Sequence, residues 1–174
     1  MLEYFTLLLK DDSFSGVVFL VNLGFLVFVE RLRIVQRCRV VITHRWATNV
    51  SLFIIASICH SAILPQGLRA FAETQQSGLL YLLKLPISLE FVLSLLCLDL
   101  WRYWEHRLFH KIPLCWRMHL VHHSDTYLDV TTAQRHHPIE VLFSMATLLC
   151  FIWLIGMSGL ALAFYLIIAS AVTL

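Results

Sequence analysis

Seven of the nine histidines of this chain fall between Asp99 and Pro138, in the stretch DLWRYWEHRLFHKIPLCWRMHLVHHSDTYLDVTTAQRHHP. His106 and His110 stand four apart, and His119 stands three and four before His122 and His123. At helical pitch, side chains three or four residues apart share a face, so HxxxH and HxxHH each aim imidazoles at one point. The chemistry implied is metal ligation. Imidazole suits zinc, copper, iron and nickel, and the few carboxylates nearby disfavour calcium and magnesium. His122 and His123 diverge by about 100° around a helix, so two neighbouring ions are easier to serve than one.

Further residues fill out the pattern. Asp99, Tyr103, His106 and His110 follow one another at spacings of four, three and four, which is a single stripe on a helix. Asp99 is then placed to accept an imidazole N–H, fixing the tautomer and raising ligand basicity, or to coordinate directly. His137 precedes Pro138 and must be extended, which points its ring off the start of the next helix and back toward the same face. His136 then points elsewhere and ranks below it. His44, among arginines, and His60, alone in an apolar run, read as structural.

These residues need elements to hold them, and those elements are greasy. With 59% apolar residues the chain exceeds what a soluble domain of average composition carries. The expectation is an all-α, polytopic membrane helix bundle of about four to five transmembrane helices. It forms one membrane domain over residues 1–174, with the histidine segment 99–138 at its cytosolic face. Apolar runs cover Phe14–Val29, Trp46–Leu64, Leu79–Leu100, Pro138–Leu154 and Leu160–Leu174. In the third, Lys84, Pro86 and Glu90 delay the embedded part to near Leu85. Pro138 is a favoured first helical position, with Glu140 in its first turn.

Arginines between Arg31 and Arg39, and Arg102, Arg107, Lys111, Arg117 and Arg135 around the histidines, put both regions on the cytoplasmic side. The stretch from Gln66 to Gly78, with one Arg and one Glu, reads as an outside loop. Trp101, Trp104 and Trp116 suit an interfacial aromatic belt. The N-terminus lacks the basic region and cleavage site of a removable signal. The basic residues form no stripe with interleaved aromatics, so nucleic acid is not an expected partner. The five cysteines are scattered and give no disulfide framework. Nothing polar or basic follows Val172, Thr173 and Leu174, so the expectation is a chain cut off within or at the end of a fifth span.

Asp99, the HRLFH of His106 to His110, the WRMHLVHHS of Trp116 to Ser124 and the TTAQRHHPIE of Thr131 to Glu140 together resemble the fatty acid hydroxylase and sterol desaturase superfamily. These are integral-membrane, histidine-coordinated di-iron oxidoreductases. The resemblance implies His106, His110, His119, His122 and His123 as metal ligands, and His137 as a histidine that the family often places before proline. It implies two irons, dioxygen, and electrons from a cytochrome b5-like protein, a ferredoxin or a reductase. It implies a lipid substrate of sterol or fatty acyl type, entering from the bilayer of a bacterial inner membrane or endoplasmic reticulum, and leaves hydroxylation and desaturation both open.

The family carries a further HxxHH box after the next pair of spans, and the sequence has none. The alternative expectation is therefore a truncated or vestigial membrane metal-binding protein without activity. Two rivals fare worse. A zinc metalloprotease requires a Glu where Arg107 stands, and a b-type haem protein requires isolated histidines deep in two spans, where only His60 fits.

Overall fold

Of the chain's four prolines, Pro86, Pro113 and Pro138 open the helices on either side of and within the histidine segment. The computed structural model describes residues 12–32, 42–64, 67–125 and 128–173, and through these the chain is helical with no strand. In order the helices are α1 (Asp12–Leu32), α2 (Ile42–Ile63), α3 (Gly67–Thr74), α4 (Leu79–Leu83), α5 (Ile87–Lys111), α6 (Pro113–His123), α7 (Pro138–Ile155) and α8 (Gly159–Thr173), with one 3-10 turn at Thr132–Gln134. The basic flank expected at Arg31–Arg39 and the chain's two ends lie largely outside the described residues, as does Cys38.

Proline acts here through what it lacks. At a helix start its missing N–H costs nothing and its fixed φ is already helical. Pro86 is accordingly the N-cap of α5, and Pro113 and Pro138 occupy the first positions of α6 and α7. Before Pro86, Lys84 takes a left-handed conformation (φ 48°), which ends α4 and separates it from α5. The third apolar run is thus broken where Lys84 and Pro86 stand, and α5 then runs unbroken for 25 residues into the histidines.

The 66–78 stretch differs from its expectation as a loop, since α3 occupies most of it. Leu68, Phe71 and Ala72, at helical spacing, pack against the buried cluster of Leu98, Ile152, Met157 and Leu162. The apolar stripe won over the polar residues between. α3 and α5 both pack on α8, and α2 packs on α7, so the core sits between α3, α5, α7 and α8. Gly156, at φ 69°, ends α7 with its N–H donated to the Ile152 carbonyl. Any Cβ there would fall on the backbone at Ser77 and Gly78, so glycine is required for this contact.

The surface is inverted relative to a soluble protein. Phe25 and Phe28 of α1, Ile54, Ile55 and Ile58 of α2, and Trp153 and Leu154 of α7 are exposed, whereas Asn49, Ser94, Glu105, His119, Thr132 and Glu140 are buried. Lipid tails are as apolar as the side chains they meet, so polar groups turn inward and apolar ones outward. Two stretches are long and apolar enough to cross a membrane, within His44–Leu83 and at Pro138–Ile155, and Leu20–Glu30 and Gly159–Ala169 are shorter apolar helices. Only 22% of the Pro138–Ile155 window is buried, so α7 is not the core helix of a soluble domain. Cys59, Cys97, Cys115 and Cys150 are all free thiols.

Candidate metal centre

The centre is built by a helical hairpin. α5 ends at Lys111, the extended Ile112 donates its N–H to the Leu108 carbonyl, and Pro113 starts α6 immediately afterwards. This short reversal lays the last turn of α5 against α6. His106 and His110 therefore meet His119 and His123, with ring centroids 4.7 to 5.0 Å apart.

The four rings turn the same atom inward. The Nε2 atoms of His106 and His110, of His110 and His123, and of His123 and His119 are each 3.2 Å apart. Nitrogens sharing one tetrahedral ion at about 2.1 Å would lie about 3.4 Å from one another. One imidazole from each of these four positions thus fits a single first-row metal ion. Trp116 packs on His110 and His123 at 5.2 and 5.5 Å, and Phe109 stacks on His119 at 5.4 Å.

Behind His119 stands Glu140, in the first turn of α7. Its Oε1 accepts from Nδ1 of His119 at 2.8 Å and from Nδ1 of His136 at 3.0 Å. An ionised carboxylate can only accept, so both rings carry their proton on Nδ1 and keep Nε2 as a bare lone pair. For His119 that lone pair faces the four-histidine group. This is the carboxylate–histidine arrangement that orients and strengthens a metal ligand. His136 in turn stacks on His122 at 4.9 Å with parallel planes. Nδ1 of His122 and Oε2 of Glu140 are buried without a hydrogen-bond partner. Orphaned buried polar atoms at such a place are the mark of a ligand site.

The electrostatics favour ligation over protonation. Burial, reinforced by the His119 and His110 rings and by Arg102, pushes His106 down to about 4. Burial and the His136 ring do the same to His122, also to about 4, and His123 is lowered by the same kind of causes. These rings are neutral Lewis bases at pH 7. Beside them a cavity of about 160 Å³ is lined by Arg102, Glu105, His106, Phe109, His119, His136, Glu140, Val141 and Ser144. Burial raises Glu105 against the opposing effects of Thr147, whose hydroxyl donates to it at 2.8 Å, and of Arg102.

The residues singled out in the sequence are placed as follows. His106, His110, His119 and His123 form one group, and His122 lies beside it, its ring centroid 5.5 Å from that of His119. His137 does not point back to the centre: its Nδ1 accepts from the Ile139 N–H at 3.2 Å and caps α7. The inward partner is instead His136, grouped with His119 and Glu140. An extended residue before proline fixes the backbone but not which neighbour's ring turns inward; the His136-to-Glu140 spacing of four was the available signal. Asp99 is exposed and belongs to neither group. It shares a face with His106 but lies seven residues away, about 10 Å along the axis. The carboxylate that orients imidazole is Glu140. His44 and His60 also lie outside both groups.

Fold and site define a helical membrane protein with a histidine cluster, backed by a carboxylate, whose ligand atoms lie close enough together to hold a metal ion. Residues 91–174, which hold every histidine of the centre, match the fatty acid hydroxylase family. The chain is also 38% identical over 61 residues to an ornithine lipid hydroxylase, OlsE, of Rhizobium tropici. That match covers 35% of this chain and 18% of the relative, so the chain spans a small part of the relative's length. No solved structure matches.

Proposed function

We propose that this protein is a membrane-bound, dioxygen-dependent lipid hydroxylase that holds two iron ions at the cytosolic end of its helices. The observation that carries the reading is the convergence of four Nε2 atoms, backed by Glu140, inside the segment matched by the family. When bound, iron supplies the redox chemistry that dioxygen and an unactivated C–H bond require. His106, His110, His119 and His123 would hold one ion, and His122 and His136 stand where a second needs ligands.

The chain's own residues do the rest. Glu140 keeps the protons of His119 and His136 on Nδ1. Phe109 stacks on the buried His119 and Trp116 packs on His110 and His123, which steadies those rings. The cavity beside His106 and His119 gives a substrate end room to approach, and the exposed apolar faces of the helices let a lipid arrive sideways from the bilayer. Arg107, Lys111 and Arg117, all exposed around the histidines, make a basic rim suited to an acidic electron-donor protein. The similarity to an ornithine lipid hydroxylase makes an ornithine lipid the first substrate to try, ahead of a sterol.

The test is isotopic. Purified protein is reconstituted with ferrous iron, a reductase system, and lipid under oxygen-18 gas. One labelled oxygen in the lipid, absent from the His106→Ala variant, is expected. Unlabelled lipid from a fully iron-loaded wild-type protein would contradict the proposal.

A further inference from the structure

We infer that Arg45 and Asn49 of α2 are positioning residues for the His122 and His136 half of the centre, acting through Arg135. The inference rests on the metal-centre reading for its purpose and on a separate set of contacts for its geometry.

Among its described residues the segment between α6 and α7 contains one 3-10 turn, yet it must set His136 face to face with His122. α2 supplies what the segment lacks. Arg45 forks onto both oxygens of Asp125 at 2.6 and 2.9 Å and reaches Asp129 at 2.9 Å and Thr132 at 3.3 Å. The Trp46 indole N–H donates to Asp129 at 3.0 Å. Asn49, fully buried, donates to Asp125 at 3.2 Å and to Thr131 at 2.9 Å, and accepts from Arg135 at 3.1 Å. Its amide has two donor hydrogens and one acceptor, and all are used.

Arg135 completes the path. Its Nε donates to the Val121 carbonyl at 2.8 Å, one residue before His122, and its Nη2 to Ser124 at 3.0 Å. The next residue, His136, stacks on His122. A planar fork that engages a side chain of α2 and the end of α6 together fixes the separation of those two rings in a way a point charge does not. The four-histidine group is set by the α5–α6 hairpin and Glu140 instead. The network therefore acts on one half of the centre, and it does so from a helix outside residues 91–174.

The experiment labels individual histidines of the metal-free protein in detergent with diethylpyrocarbonate and reads each site by mass spectrometry. Asn49→Ala should raise labelling of His122 and His136 on the order of tenfold, as loss of a charge-assisted hydrogen bond predicts, with His106 and His110 nearly unchanged. A hole at a fully buried amide can unfold the end of α2, so Arg135→Lys is measured beside it. It keeps the charge, loses the fork, and should give the same pattern. Unchanged labelling of His122 and His136 would overturn the inference, and so would an equal rise at all histidines, which would reduce the network to general support of the fold. A parallel Co²⁺ titration of the wild-type protein reports on the metal reading alone: no uptake there contradicts that reading, while the labelling contrast still decides the positioning role.

Discussion

Glu140 is the residue on which the chemistry of the centre turns, because a single carboxylate oxygen fixes the tautomers of two imidazoles. Glu140→Gln keeps the shape but replaces the charged oxygen that both rings share with a neutral amide oxygen, a weaker acceptor, so metal affinity should fall by about 10- to 100-fold in a competition titration against a chelator. Unaltered affinity would remove Glu140 from its role. The rings also make the metal-free protein acid-sensitive. His106 and His122 are held at about 4 against an ordinary 6.5. Between those values the unfolded chain binds protons that the folded chain refuses. Their contribution to stability is therefore complete above pH 6.5 and declines as pH falls toward 4. Thermal unfolding of the metal-free protein at pH 7.5 and pH 5 should show this loss, and a rise on acidification would contradict it. The HxxxH and HxxHH boxes were legible in the sequence because spacing alone fixes a shared helical face. The order of His136 and His137 was not, because it depends on a carboxylate four residues further on and on the ring of His122.

At the scale of elements, the unbroken α5 and its short reversal into α6 do most of the positioning, and both could be read from Pro86, Pro113 and the stripe between them. α3 was hidden by its polar residues: Arg69, Glu73 and Thr74 masked Leu68, Phe71 and Ala72, whose worth emerges only when Leu98, Ile152 and Leu162 are there to meet them. Nor did the sequence disclose that the start of α2 grips the segment after α6, since Arg45 and Asp125 lie 80 residues apart. Leu98 is fully buried among α3, α7 and α8 at the core. Leu98→Ala should cost about 2–5 kcal/mol, the usual range for a core leucine, read as a lowered unfolding midpoint in detergent. A cost near zero would mean that these helices do not pack as described.

At the scale of the molecule, polar groups are buried and apolar faces turn outward, the arrangement that helices in lipid require, and the histidines gather where α5 meets α6. The Val130 N–H donates to Glu30 at 3.2 Å, and Arg45 grips Asp125, so the end of α1 and the start of α2 stand at the histidine end as well. A tag at position 35 and another after Leu154 should therefore report opposite sides of the membrane, and finding both on one side would refute this arrangement. The central claim, that imidazoles of α5 and α6 jointly hold a redox metal, is tested most directly by the metal content of detergent-purified protein. Iron approaching about two ions per chain is predicted, lost in His106→Ala and His122→Ala and kept in His60→Ala; zinc in place of iron, or equal loss in all three variants, would contradict it.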